Sequence, residues 1–84
     1  MLPEHNAILQ RLQTIFDELF LDDVVLTPEL SASDVEEWDS LMHISLVITV
    51  EERFGIKFRV GEVESTKNVG EFVELISERA LSNA

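Results

Sequence analysis

Trp38-Asp39-Ser40-Leu41 places a serine directly after an aspartate, at the junction between a loop and a long apolar helical pattern. That setting puts a hydroxyl on the surface at a helix N-terminus. Free backbone N–H groups and the helix dipole favour negative charge there, so a phosphate ester on Ser40 would be well placed. Asp39 opposes that benefit locally, so its value must lie elsewhere. The plain alternative is that Ser40 does no more than start the helix. His43 follows three residues later, roughly on the same helix face. A Ser–His hydrolase would also need an oxyanion motif and an orienting acid, and neither is evident in a chain of 84 residues. Asp22-Asp23 and Asp34-Glu36-Glu37 are carboxylate clusters. They lack the alternating ligands and central glycine of a calcium loop, so no specific metal site is expected.

The composition narrows the chemistry further. A chain of 84 residues with 45% apolar content is expected to form one domain, residues 1–84, with one core. Such a domain buries only about 60% of the surface its unfolded chain exposes, so its stability should be modest. There is no cysteine, so any thioester the protein carries must hang from an added thiol. Seventeen acidic against six basic residues give a net charge of −11. No lysine or arginine lies between Arg11 and Arg53, whereas Asp17, Glu18, Asp22, Asp23, Glu29, Asp34, Glu36, Glu37, Asp39, Glu51 and Glu52 all do. Such a field repels nucleic-acid phosphate and anionic membrane surfaces. It attracts basic protein patches and speeds their encounter. No apolar run approaches the roughly 20 residues of a membrane span. The start, Met-Leu-Pro-Glu-His-Asn, has neither the basic nor the apolar region of a secretory signal. A cytoplasmic monomer is the expectation.

Three long helical patterns and one short one must position Ser40. The first spans Pro3 to Phe20, with Ile8, Leu12, Ile15, Phe16 and Leu19 on one apolar stripe and Gln10, Arg11, Gln13, Asp17 and Glu18 opposite. A long connection runs from Leu21 to Trp38. Thr27-Pro28-Glu29-Leu30 within it reads as a single turn, and Val24, Val25, Leu26, Leu30 and Val35 should pin it to the core. The second helix spans Ser40 to Phe54, capped by Asp39 and ended by Gly55. Leu41, Ile44, Val47, Ile48 and Glu51 share one face, while Leu46 and Val50 add apolar surface elsewhere. The helix is therefore either central to the bundle or exposes apolar residues to partners. Val60 to Glu64 reads as a short helical turn. The last helix starts at Asn68, with Glu71 three residues on as in a capping box, and Val69, Phe72, Val73, Ile76 and Ala80 keep the period. The expected fold is all-α: a small four-helix bundle, three long helices and one short, with a long loop between the first and second.

Three segments carry a family resemblance. Asp39-Ser40-Leu41 opens a helix, Glu51-Glu52 precedes Phe54-Gly55-Ile56, and Asn68-Val69-Gly70-Glu71 opens the last helix. Together they resemble acyl carrier proteins, most strongly over residues 34–58 and by spacing over nearly the whole chain. The resemblance implies a carrier and not a catalyst. Ser40 would be esterified by 4′-phosphopantetheine, delivered from coenzyme A by a phosphopantetheinyl transferase, and acyl groups would ride on the arm's thiol as thioesters. Asp39 would help the transferase and its metal ion engage. Leu41, Met42, Glu36, Glu37, Glu51 and Glu52 would contribute to recognition by acyl-loading, acyl-transfer or condensing enzymes with basic docking surfaces. Val47, Val50, Phe54, Val63, Phe72 and Ile76 would line an acyl site or simply pack the core, and Phe72 stands where relatives often have a smaller residue.

The chain also departs from the housekeeping fatty-acid carriers it resembles. Met42 and Ser45, and often Arg53, replace acidic residues of their recognition helix. Glu36-Glu37-Trp38 replaces a glycine common just before the serine. These departures imply a dedicated pathway, such as envelope lipid, lipopolysaccharide or secondary-metabolite synthesis. Trp38 is either an anchor for a partner or a cover over the end of the bundle. Two other readings stay open: an aminoacyl or peptidyl carrier, and an acidic helical adaptor in which Ser40 is dispensable.

Overall fold

A computed structural model describes residues 3–82. Three helices form, α1 (Pro3–Leu19), α2 (Ser40–Phe54) and α3 (Val69–Ser82), with a single 3₁₀ turn at Ala32–Asp34. No strand occurs among the described residues. Both α2 and α3 pack chiefly on α1. Leu12, Ile15 and Phe16 of α1 meet Leu46 and Val50 of α2 and Val69, Phe72, Val73 and Ile76 of α3 in one buried cluster.

The ends of α2 are fixed by the residues expected to fix them. Asp39 is extended, and its carboxylate accepts from the Met42 N–H at 2.9 Å. Gly55 closes the helix at φ 65°, in the left-handed region. Of the two readings open for this helix, the structure takes the one that leaves apolar residues exposed. Leu46 and Val50 point into the core, while Leu41, Ile44 and Ile48 are 77%, 56% and 50% exposed. A helix this apolar offers two candidate stripes, and periodicity alone does not choose between them. The inward face is completed by the half-buried Met42, Val47 and Phe54.

The long loop is bound on three sides. Gln13, placed by its period on the polar side of α1, turns its amide to the loop. It donates to the Val24 carbonyl at 2.6 Å and accepts from the Leu26 N–H at 2.9 Å. Val24 and Leu26 are buried and Val25, between them, is 74% exposed, which corrects the expectation that all three pin the loop. An extended segment alternates its side chains. Thr27–Leu30 makes the expected turn, with the Leu30 N–H donating to the Thr27 carbonyl. Finally, Val69 and Gly70 donate their N–H groups to the carbonyls of Leu30 and Pro28, at 2.8 and 2.9 Å. The loop thus caps α3.

That last contact leaves little room for a side chain at position 70. A Cβ on Gly70 would lie 3.1 Å from the Pro28 oxygen and 3.2 Å from its Cβ. Gly70→Val is therefore expected to destabilise the fold by about 1–3 kcal/mol through overpacking. A thermal unfolding midpoint equal to that of the wild type would contradict this account of the loop.

The fourth helix expected over Val60–Glu64 is replaced by consecutive turns across residues 60–65. Glu62 N–H bonds Arg59, Ser65 N–H bonds Gly61 and Glu62, and Thr66 N–H bonds Val63. Gly61 has φ 85°, a left-handed conformation that interrupts helical propagation. Side chains hold the segment in place of a helical ladder. The Glu62 carboxylate accepts from the Arg79 guanidinium (Nε at 3.1 Å) and from the Arg59 N–H at 2.6 Å.

Arg79, then the Arg59 amide, holds the Glu62 carboxyl below its ordinary value of 4.5. The unfolded chain then binds a proton here more readily than the folded one. This contribution is present above the ordinary value and is lost as pH falls through the lowered folded value. Glu62→Gln is expected to lower the unfolding midpoint at pH 7, by an amount that shrinks below about pH 4.5. A deficit independent of pH, measured by thermal unfolding between pH 7 and 3, would contradict the charged tie.

Candidate functional site

The cap that starts α2 also presents Ser40. Asp39 uses its carboxylate on Met42 and its carbonyl on the His43 N–H at 2.8 Å. Ser40 itself is exposed, and among the described residues nothing hydrogen-bonds its hydroxyl. The N–H groups of Ser40 and Leu41, at the open end of the helix, also have no partner among the described residues. The result is an accessible oxygen nucleophile beside unsatisfied donors.

Ser40 opens onto a groove of about 650 Å³ between α2 and the segment leading into α3. His43 and Ile44 form its α2 wall, Val63, Glu64 and Thr66 the facing wall, and Phe72 part of the floor; Lys67 is the one lysine or arginine lining it. The arrangement has a hydroxyl at the rim, one lysine and the carboxylates of Asp39 and Glu64 in the lining, and an apolar floor.

Trp38 covers the end of the bundle. Its ring meets Phe16 and Phe20 edge-on at 5.2 and 6.3 Å. Its indole N–H donates to His43 Nδ1 at 3.1 Å, and His43 Nε2 lies 2.9 Å from a Glu64 carboxylate oxygen. An indole nitrogen only donates, so Nδ1 is the unprotonated nitrogen and Nε2–H donates to Glu64. His43 is thus committed to its neighbours and not to Ser40. Among the described residues Ser40 and His43 form no hydrogen-bonded pair.

The expected acyl-site residues separate into groups. Val63 and Phe72 line the groove beside Ser40. Val50 and Ile76 are wholly buried in the core, and Val47 packs on it. Phe54 lies at the far end of α2, about 21 Å along the helix from Ser40 by helical rise. The Arg11 guanidinium covers its ring at 4.1 Å and donates to the Arg53 carbonyl at 2.8 Å. Phe54 is therefore part of a closed contact with α1 and not of the groove.

The expected docking acids also separate. Glu36 and Glu52 are exposed. Glu37 accepts from the backbone N–H groups of Leu21 and Asp22, at 3.1 and 2.7 Å. The Asp22 amide, then that of Leu21, holds its carboxyl below the ordinary value. Glu51 accepts from the Phe58 N–H at 2.8 Å. These two carboxylates hold the chain where it leaves α1 and α2, tasks that sequence spacing alone does not reveal. The exposed stripe Leu41, Ile44 and Ile48 runs down α2 from the serine, and Met42 is half-buried behind it. Among the described residues no three His, Asp or Glu side chains converge in a way that could hold a metal ion.

No family model matches the chain. An acyl carrier protein of Rubrobacter xylanophilus is 36% identical over 76 residues, covering 89% of this chain and 94% of the relative. Acyl carrier protein 2 of Ralstonia nicotianae is 31% identical over 69 residues, covering 81% and 85%. A solution NMR structure of the holo acyl carrier protein of Geobacter metallireducens superposes with a TM-score of 0.76 at 35% identity, covering 98% of this chain and 91% of that one.

Proposed function

This chain belongs to the acyl carrier protein family, and from that premise we propose that it carries acyl groups on a 4′-phosphopantetheine arm attached to Ser40. The observation that carries the proposal is the Ser40 hydroxyl, exposed and unengaged at the rim of an apolar groove. The surroundings fit the group. The Ser40 and Leu41 amides suit its phosphodiester, Lys67 lines the same groove, and Val63 and Phe72 offer apolar surface there. When bound, the arm supplies the thiol that this cysteine-free chain lacks, on which an acyl group is held as a thioester. Asp39 fixes the helix start and so the direction in which the Ser40 oxygen faces a transferase. The protein is then a substrate of other enzymes and performs no chemistry of its own.

Partners would meet the rim charges Glu36 and Glu52 and the exposed Leu41, Ile44 and Ile48. Acidic rim residues steer basic surfaces and raise the encounter rate, and the apolar stripe supplies contact. Met42 and Ser45, where the housekeeping carriers have acidic residues, leave this helix poorer in charge, which supports service to a dedicated lipid, lipopolysaccharide or secondary-metabolite pathway. Among the described residues no helix is long and apolar enough to cross a membrane. A cytoplasmic monomer of one carrier domain, residues 1–84, is the form proposed.

The test is the intact mass of the protein isolated from its source cells, before and after neutral hydroxylamine, which cleaves thioesters. A carrier shows the arm, with a hydroxylamine-labile acyl mass on part of the population. An aminoacyl mass would assign it to amino-acid or peptide transfer. A mass equal to the bare sequence, unchanged by hydroxylamine, would favour the non-covalent adaptor.

A further inference from the structure

The groove beside Ser40 has apolar lining that solvent barely reaches. Val63 and Phe72 line it, yet are only 4% and 2% exposed. Its two walls belong to different parts of the chain, α2 and the turn segment 60–65. Each of α2 and α3 is anchored chiefly on α1. Among the described residues, the His43–Glu64 bond of 2.9 Å is the only side-chain hydrogen bond between α2 and residues 60–68. His43 cannot swing freely to release it. Trp38 donates to its other ring nitrogen, and the two rings lie nearly parallel, with 22° between planes.

We propose that His43 and Glu64 form a latch across the mouth of this groove, which decides which tethered chains reach Val63 and Phe72. The proposal rests on Ser40 being the point of attachment. With the latch closed, a short acyl group stays outside. A longer chain gains apolar burial with each methylene it inserts, and beyond some length that gain exceeds the cost of one hydrogen bond. His43 is thus a positioning residue, and the latch sets a threshold of chain length. One net hydrogen bond corresponds to an equilibrium factor of about two to ten. That factor bounds the effect of removing it.

The test uses the holo protein loaded with an acetyl or an octanoyl group, and follows thioester cleavage by hydroxylamine. Glu64→Ala suits the purpose because its side chain is 60% exposed. It is expected to slow octanoyl cleavage by about two- to tenfold and to leave acetyl cleavage unchanged. Glu64→Gln, which keeps an acceptor for the His43 Nε2–H, is expected to behave as wild type. The Trp38 indole N–H resonance should shift on octanoyl loading more in Glu64→Ala than in the wild type. Equal octanoyl rates in wild type and Glu64→Ala, or a Gln variant that behaves like Ala, would overturn the latch.

Intact mass shows separately whether Ser40 carries the arm. If it does not, the attachment reading fails on its own. The latch is then read in Ser40→Cys, the sole cysteine, carrying a methyl or octyl group through a disulfide. Octyl-induced shifts at the Trp38 indole that are larger with Glu64→Ala support it, and equal shifts overturn it.

Discussion

Phe16→Ala is expected to cost about 3–5 kcal/mol, the usual range for removing a buried aromatic ring. Phe16 is wholly buried. Its ring stacks on Phe20 at 4.7 Å between centroids and receives the Trp38 ring edge-on. Alanine would remove the stack, leave a cavity and withdraw the support under Trp38, and with it the donor that orients His43. A domain of 84 residues has about 4–13 kcal/mol of stability in total, so one substitution consumes a large part of it. Urea titration followed by far-UV circular dichroism measures the loss. The groove should fail with the fold, so the variant should also lose carrier function. A loss below about 1 kcal/mol would show that the aromatic cluster is not the centre of the core.

Ser40→Ala is expected to produce the opposite combination, complete loss of function with almost no loss of stability. The hydroxyl makes no hydrogen bond among the described residues, and the cap of α2 comes from Asp39. Exposed substitutions away from such contacts stay within about 0.5 kcal/mol. The unfolding midpoint should therefore match that of the wild type, while no hydroxylamine-labile mass remains on protein isolated from cells. Ser45→Ala, on the exposed side of the same helix, serves as the control and should retain both. A clear drop in the midpoint of Ser40→Ala would mean that Ser40 is a structural residue of the helix start.

The parts of this molecule that were legible in the sequence are those set by local rules. Asp39 and Gly55 bracket α2 because capping and the left-handed conformation are properties of single residues, and the α1 stripe is clean enough to choose its own inward face. The apolar excess of α2 defeated the same argument: Leu41, Ile44 and Ile48 have the period of a core face but lie outside. What long-range contact decides was not legible at all. Gln13 reads as a surface residue until Val24 and Leu26 are brought to it. Glu37 and Glu51 read as free charges until the backbone amides of Leu21, Asp22 and Phe58 are brought to them. The site follows the same division. Ser40 was found from its immediate neighbours, and Val63 and Phe72 were among several apolar candidates. The Trp38–His43–Glu64 chain joins residues up to 26 positions apart and needed the fold.

Whether Ser40 carries the arm is decided by the intact mass of wild type and Ser40→Ala after incubation with coenzyme A, magnesium and a broad-specificity phosphopantetheinyl transferase. The account predicts a gain of one phosphopantetheine on the wild type and none on the variant. A folded wild type that gains nothing, or a gain that persists in Ser40→Ala, would contradict it.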